Sequence, residues 1–200
     1  MVGKVVLWSV AAVMILGITV YVWPARSLRH DPGILCPDEP LQEEPQSEAP
    51  WLLDDDYMVT PLASYEITAL VLSRENYYFD KGADVSPVDF ALGWGAMSNQ
   101  AVIDNLKIWQ GPRHFAWKAN RFPIPRRQIE CSSANVHIIP ANGEVRDAID
   151  DVCKGSIVTM KGYLVKVTDT KGYRWVSSLR REDTGDGACE VMWVEELHVE

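Results

Sequence analysis

The sequence predicts an α+β fold: a small β-barrel-like domain with two or three short helices, preceded by one transmembrane helix. Three stretches predict it. They are a glycine-bent strand with two turn-linked strands near the C-terminus, an amphipathic helix just before them, and a long uncharged run near the N-terminus. In the first, Ile157, Thr159, Lys161 and Tyr163 alternate with Val158, Met160, Gly162 and Leu164, and β-branched and aromatic residues dominate, as strands require. Gly162 falls mid-strand, where a missing side chain permits a bend or bulge. Lys171-Gly172 turns the chain into Tyr173 to Leu179, and Asp183 to Gly187 turns it again into Ala188 to Leu197. A bent strand followed by two turn-linked strands is how small closed sheets begin.

Val5 to Trp23 runs nineteen residues without a charge, long enough to cross a hydrocarbon core of roughly 30 Å at about 1.5 Å per residue. Trp8, Tyr21 and Trp23 sit where interfacial aromatics belong. The run is longer than a signal-peptide core and no small-x-small cleavage site follows it, so a retained anchor is expected within residues 1–30. Lys4 and the amino terminus on one side nearly balance Arg26, Arg29 and His30 on the other. A very short N-terminal tail usually stays inside, which puts the bulk of the chain outside the cytoplasm, in the periplasmic or extracytoplasmic space. Residues 31–50 interleave five prolines with acidic residues and read as a stiff, self-repelling linker. The rest, 51–200, suits a single β-rich globular domain of about 145 residues.

Within that domain, Tyr57 to Leu62 and Tyr65 to Arg74 read as strands, with Pro61 at an edge or break and the second strand covered on both faces. Ser86-Pro87 signals a helix start, that short helix ending at Gly93-Trp94-Gly95, and Ser98 starts another. Gly111-Pro112 turns a hairpin between Ile108-Trp109 and His114 to Trp117. Ala134 to Pro140 is a strand, and Glu144 to Lys154 is the clearest helix, with Val145, Ala148, Ile149 and Val152 on one face and Gly155 as C-cap. A helix inserted among strands and followed by a bent strand fits an OB-like barrel, or a related α+β roll.

Three phrases occur together: Ser86-Pro-Val-Asp-Phe-Ala-Leu-Gly-Trp-Gly95 with Met97-Ser98, Ser133-Ala-Asn-Val-His-Ile-Ile-Pro140, and Trp175 to Leu179 running to Asp183-Thr-Gly-x-Gly-Ala-Cys-Glu190. Over residues 57–196 they resemble a group of uncharacterised bacterial proteins with one N-terminal membrane span and a C-terminal envelope domain. The resemblance implies a bacterial membrane anchor and brings no catalytic residues.

The formal charge of −9 argues against general polyanion binding. Four cysteines with no Cys-x-x-Cys pair and no histidine at ligand spacing argue against zinc, and no Walker loop or dinucleotide fingerprint suggests a cofactor. Asp183-Thr184-Gly185 lacks the apolar strand that buries a catalytic aspartate. Neither Asp183, Asp186 and Glu190 nor Asp54 to Asp56 has calcium-loop spacing. Cys153 and Cys189 form a candidate disulfide at the barrel rim, with two free thiols as the alternative. The one compositional anomaly is Lys107 to Arg127. There Lys107, Arg113, Lys118, Arg121, Arg126 and Arg127 occur without an acidic residue, among Trp109, Phe115, Trp117 and Phe122. Cations beside exposed rings suit anionic partners, so Lys107, Arg113, Trp117, Lys118, Arg121, Arg126 and Arg127 are the expected binding residues. The expected function is a non-catalytic, membrane-anchored envelope domain that binds or positions an envelope protein or an anionic headgroup. The alternatives are a hydrolase using His137 with carboxylates from residues 183–190, or an oligonucleotide-binding module if the domain is cytoplasmic.

Overall fold

The computed structural model describes residues 27–47, 49–185 and 187–200, so the expected span at Val5 to Trp23 lies outside the described residues. Among the described residues no helix is long and apolar enough to cross a membrane. The described residues are mostly sheet with three short helices.

Its spine is one strand of 20 residues, β3 (Tyr57–Asn76), where the sequence suggests two. Pro61 sits at a register shift within it, so the missing amide falls at the break its residue type requires. β3 pairs over its first two-thirds with β8 (Ile157–Asp169) and over its last third with β4 (Val88–Gly93). β4 pairs with β7 (Ser133–Pro140), β7 runs parallel to β10 (Glu190–Val199), and β10 pairs with β8. Those pairings close a ring of five strands. The short strands β1 (Leu41–Glu43) and β2 (Trp51–Leu53) flank β3, and β9 (Arg174–Val176) pairs with β8.

Period-2 alternation fills the ring. Tyr65, Ile67, Ala69 and Val71 meet Phe90, Leu92, Val136, Ile138, Met160 and Met192 inside it. Helix α3 (Gly143–Asp151) adds Val145 and Ile149 to the same core. Asn142 caps it, its side-chain oxygen accepting from Val145 N at 2.9 Å. Gly162 lies opposite the register break at Val194/Glu196 of β10, and a Cβ there would run into the Trp193 carbonyl. The expected bend is real, with the extra residue on the partner strand.

Several expectations are corrected. Ser86-Pro87 opens no helix, because Val88 to Gly93 is strand β4, buried at all six positions. A ring strand covered on both faces pairs with two neighbours, and that long-range pairing overrides the local start signal. Helix α1 (Gln100–Ile103) follows a 3-10 turn at Gly95–Ser98 and is capped by Asn99 rather than begun by Ser98. Nor are residues 31–50 a free spacer. Ser27 bridges to Lys154, Leu28 N donates to Lys154 O, and Arg29 forms a two-pronged ion pair with Asp104. Cys36 is buried in a second core with Leu72, Met97 and Val102, and β1 joins the sheet at Ser64–Glu66. This strap is held by side chains reaching its backbone: Ser98 Oγ accepts from Leu35 N at 3.1 Å and from Cys36 N at 3.0 Å, and Asn99 Oδ1 from Gly33 N at 3.0 Å. Such binding leaves no apolar period to read. Gly155 belongs to the strap too: α3 ends at Asp151, and a Cβ on Gly155 would collide with the Leu28 carbonyl.

Candidate functional site

The outward faces of β4 and β7 carry side chains that an apolar sheet would not place there. Asp89 of β4 stands opposite His137 of β7, with Asn135 one pleat away, and all three are buried. Above them folds a hairpin of β5 (Lys107–Gly111) and β6 (His114–Lys118), matching the sequence expectation. Arg113, at its turn, adopts a φ of 60°, a left-handed conformation a bulky residue takes only when its surroundings hold it there.

What holds Arg113 is its side chain. Nη1 donates to Asp89 Oδ1 at 3.0 Å and to the Ser86 carbonyl at 2.9 Å. Nε and Nη2 grip Asp80 at 3.1 and 2.8 Å, the planar fork matching a carboxylate. The guanidinium lies 3.7 Å from the Tyr77 ring centre and 5.2 Å from that of Trp175. Tyr77 Oη accepts from Arg113 N at 3.0 Å and donates to the Gly111 carbonyl at 2.9 Å. Those hydrogen bonds from Arg113 hold the Asp80 carboxyl below the usual aspartate range. Burial, followed by the Asp89 charge, raises the Tyr77 phenol.

Asn135 Nδ2 donates to Asp89 Oδ2 at 3.3 Å, and Asn135 Oδ1 accepts from Gln110 Nε2 at 2.9 Å. His137 Nδ1 lies 2.8 Å from Asp89 Oδ1 but is not aligned as a hydrogen bond. Its ring packs against Trp175, centroids 4.5 Å apart, and is 2% exposed, so no substrate atom reaches it from solvent.

Beside this cluster opens a cleft of about 440 Å³. Phe115 and Trp117 of the hairpin, Ser133 and Asn135 of β7, and Asp183, Gly185, Gly187 and Cys189 of the loop before β10 are among the residues that line it. Burial, then the charges of Glu190 and Asp89, pushes the Cys189 thiol up to about 12, which keeps it protonated and unreactive near neutral pH. Behind it Glu190 is 5% exposed with Oε2 unpartnered, and burial raises its carboxyl to about 8.

The expected binding residues separate into three sets. Arg113 is committed to two aspartates, and Trp117 lines the cleft and meets Phe122 edge-on at 6.0 Å. Arg126 pairs with Glu130 within α2 (Arg126–Cys131), and Arg127 pairs with Glu182. Lys107 and Lys118 stand opposite each other on the exposed hairpin face, and Arg121 is exposed. The basic stretch is therefore not one surface. The Cys153–Cys189 bridge is also corrected: both are free thiols. Cys189 precedes the start of β10 while Cys153 precedes the β8 end that pairs with Val199, ten residues along, a span of roughly 30 Å at about 3.3 Å per residue. Asp183 accepts from Ser178 Oγ at 2.7 Å, as a turn residue does, and His137 meets Asp89 through the pair described above. Among the described residues no three His, Cys, Asp or Glu side chains converge as metal ligands.

Sequence reading missed Asp80, Asp89, Tyr77 and Asn135. The available signal was a lone aspartate inside the apolar run Val88 to Leu92. Comparison with protein-family models, with curated proteins and with solved structures finds no match.

Proposed function

We propose that this chain is a membrane-tethered, non-catalytic envelope domain that takes a ligand in the cleft between the β5–β6 hairpin and the 183–189 loop. The tether rests on the uncharged run at residues 5–23. The observation that carries the binding role is the position of the cleft. The ring order β3-β4-β7-β10-β8, with α3 between the third and fourth ring strands in chain order, supports an OB-like reading of the barrel. Barrels of that kind bind oligonucleotides or oligosaccharides on the face of the second and third strands; here the third, β7, lines the cleft through Ser133, Ala134 and Asn135.

The charges favour the uncharged, hydroxyl-rich class of ligand. Arg113 is neutralised by Asp80 and Asp89, and Glu130 and Asp183 add carboxylates to the cleft lining. Among the described lining residues a phosphate chain would meet no lysine and no arginine but the committed Arg113, whereas aromatic walls with amide and carboxylate groups suit sugar rings. Catalysis is disfavoured because His137 is shut beneath Trp175 and Cys189 is held as a thiol.

Photo-crosslinking in cells from Phe115, on the cleft wall, and from Thr68, exposed on β3, tests the assignment. Adducts from Phe115 and none from Thr68 are expected. Equal labelling from both, or none from Phe115, refutes the cleft. An active phosphatase fused to the C-terminus is expected from the extracytoplasmic orientation, and an inactive one reopens the oligonucleotide alternative.

A further inference from the structure

The outward face of the hairpin is a separate feature from the cleft. Lys107 and Lys118 are cross-strand partners, both exposed, and neither is ion-paired among the described residues. Like charges directly opposite on an antiparallel pair work against it. One pleat along, Trp109 shares that face, opposite Ala116 and 41% exposed. We propose that this face is a lipid-docking surface that holds the domain against an anionic bilayer, an inference that rests on the tethered reading above.

Two observations select a bilayer as the occupant. The first is chemical. Lysine stems cover apolar surface while their ammonium groups stay in water, and tryptophan prefers the headgroup level, so Lys107, Trp109 and Lys118 together match a membrane interface. Lys107, Trp109, Ala116 and Lys118 share this face with no acidic side chain among them, although the whole chain carries −9. An anionic surface repels the rest of the molecule and attracts this face, which fixes an orientation.

The second is positional. Arg29 is clamped on Asp104, three residues before Lys107, and Ser27 bridges to Lys154, whose charge also acts on Asp104. The first described residues therefore lie against the segment that leads into β5 at Lys107. Only Pro24, Ala25 and Arg26 separate Ser27 from the uncharged run. A tether that short keeps the hairpin near the surface at high effective concentration, so weak headgroup contacts suffice.

Hydrogen exchange over residues 107–118 tests this on the full chain in nanodiscs of phosphatidylcholine alone or mixed with phosphatidylglycerol. Exchange is expected to slow about tenfold in the anionic discs, consistent with a modest headgroup attraction per lysine. The slowing should disappear at high salt. Lys107→Glu, which sets an opposite-charge pair across the hairpin and so preserves it, should lose most of the effect. Equal exchange in both discs, with the chain still embedded, overturns docking and leaves the tether standing. A chain that fails to stay in the discs overturns both. Protection by a single-stranded oligonucleotide, with none from anionic lipid, overturns the lipid assignment.

Discussion

Arg113 joins segments that the chain order keeps apart: Asp80 in the loop after β3, Asp89 on β4, and its own hairpin turn. Asp89 is fully buried, so its charge is tolerable only while that guanidinium is present. Arg113→Ala should cost about 3 to 5 kcal/mol in urea unfolding, the usual penalty for leaving a buried charge unpaired. Arg113→Lys should cost less yet still register, because an ammonium cannot grip Asp80 with two parallel donors.

Glu190 makes the opposite prediction. Its folded carboxyl titrates near 8, against an ordinary value of 4.5. Between those values the unfolded chain has released the proton and the folded chain retains it, so stability falls as pH rises and levels off above 8. Glu190→Gln should flatten that slope and stabilise the protein at alkaline pH by up to about 5 kcal/mol, at about 1.36 kcal/mol per unit. Asp80 is depressed, so its contribution is present above the ordinary aspartate range and is lost as pH falls through the lower folded value. Unfolding midpoints from pH 3 to 9 for the parent chain and Glu190→Gln separate the two slopes.

At the scale of elements, the strap depends on few groups. Ser98 Oγ accepts from two backbone amides of residues 35 and 36, donates to the Gly95 carbonyl at 2.8 Å, and is buried. Ser98→Ala should cost about 1 to 3 kcal/mol, the penalty for stranding a buried amide. The loss should appear first as faster hydrogen exchange at residues 33–37, ahead of the ring. Unchanged exchange there would mean the strap is held by other groups. The hairpin behaves differently: its strands and Gly111-Pro112 turn are legible from sequence, while its docking over Asp89 is not, because that depends on Arg113 finding acids 24 and 33 residues away.

For the whole molecule, the folded unit begins well before Trp51. Cys36 is 1% exposed within the second core, and removing the strap would uncover Leu72, Met97 and Val102. Limited proteolysis of the full chain should leave a resistant fragment starting ahead of Cys36. A fragment starting near Trp51 would restore the free acidic stalk that composition suggests.

By itself the sequence determined the strands from β7 to β10, helix α3, the hairpin and the bend at Gly162. Each is encoded by a local period, a turn pair or a missing Cβ, and each lies within about twenty neighbouring residues. Only the tertiary structure decided that Val88 to Gly93 is a strand, that Arg113 is committed to Asp80 and Asp89, and that residues 27–43 are bound to the domain. In these cases the stabilising partner lies far along the chain: β7 beside β4, Ser98 beneath Cys36, Lys154 beside Ser27. Local pattern carries no trace of such partners, because a backbone amide satisfied by a remote side chain leaves its own residue type almost unconstrained.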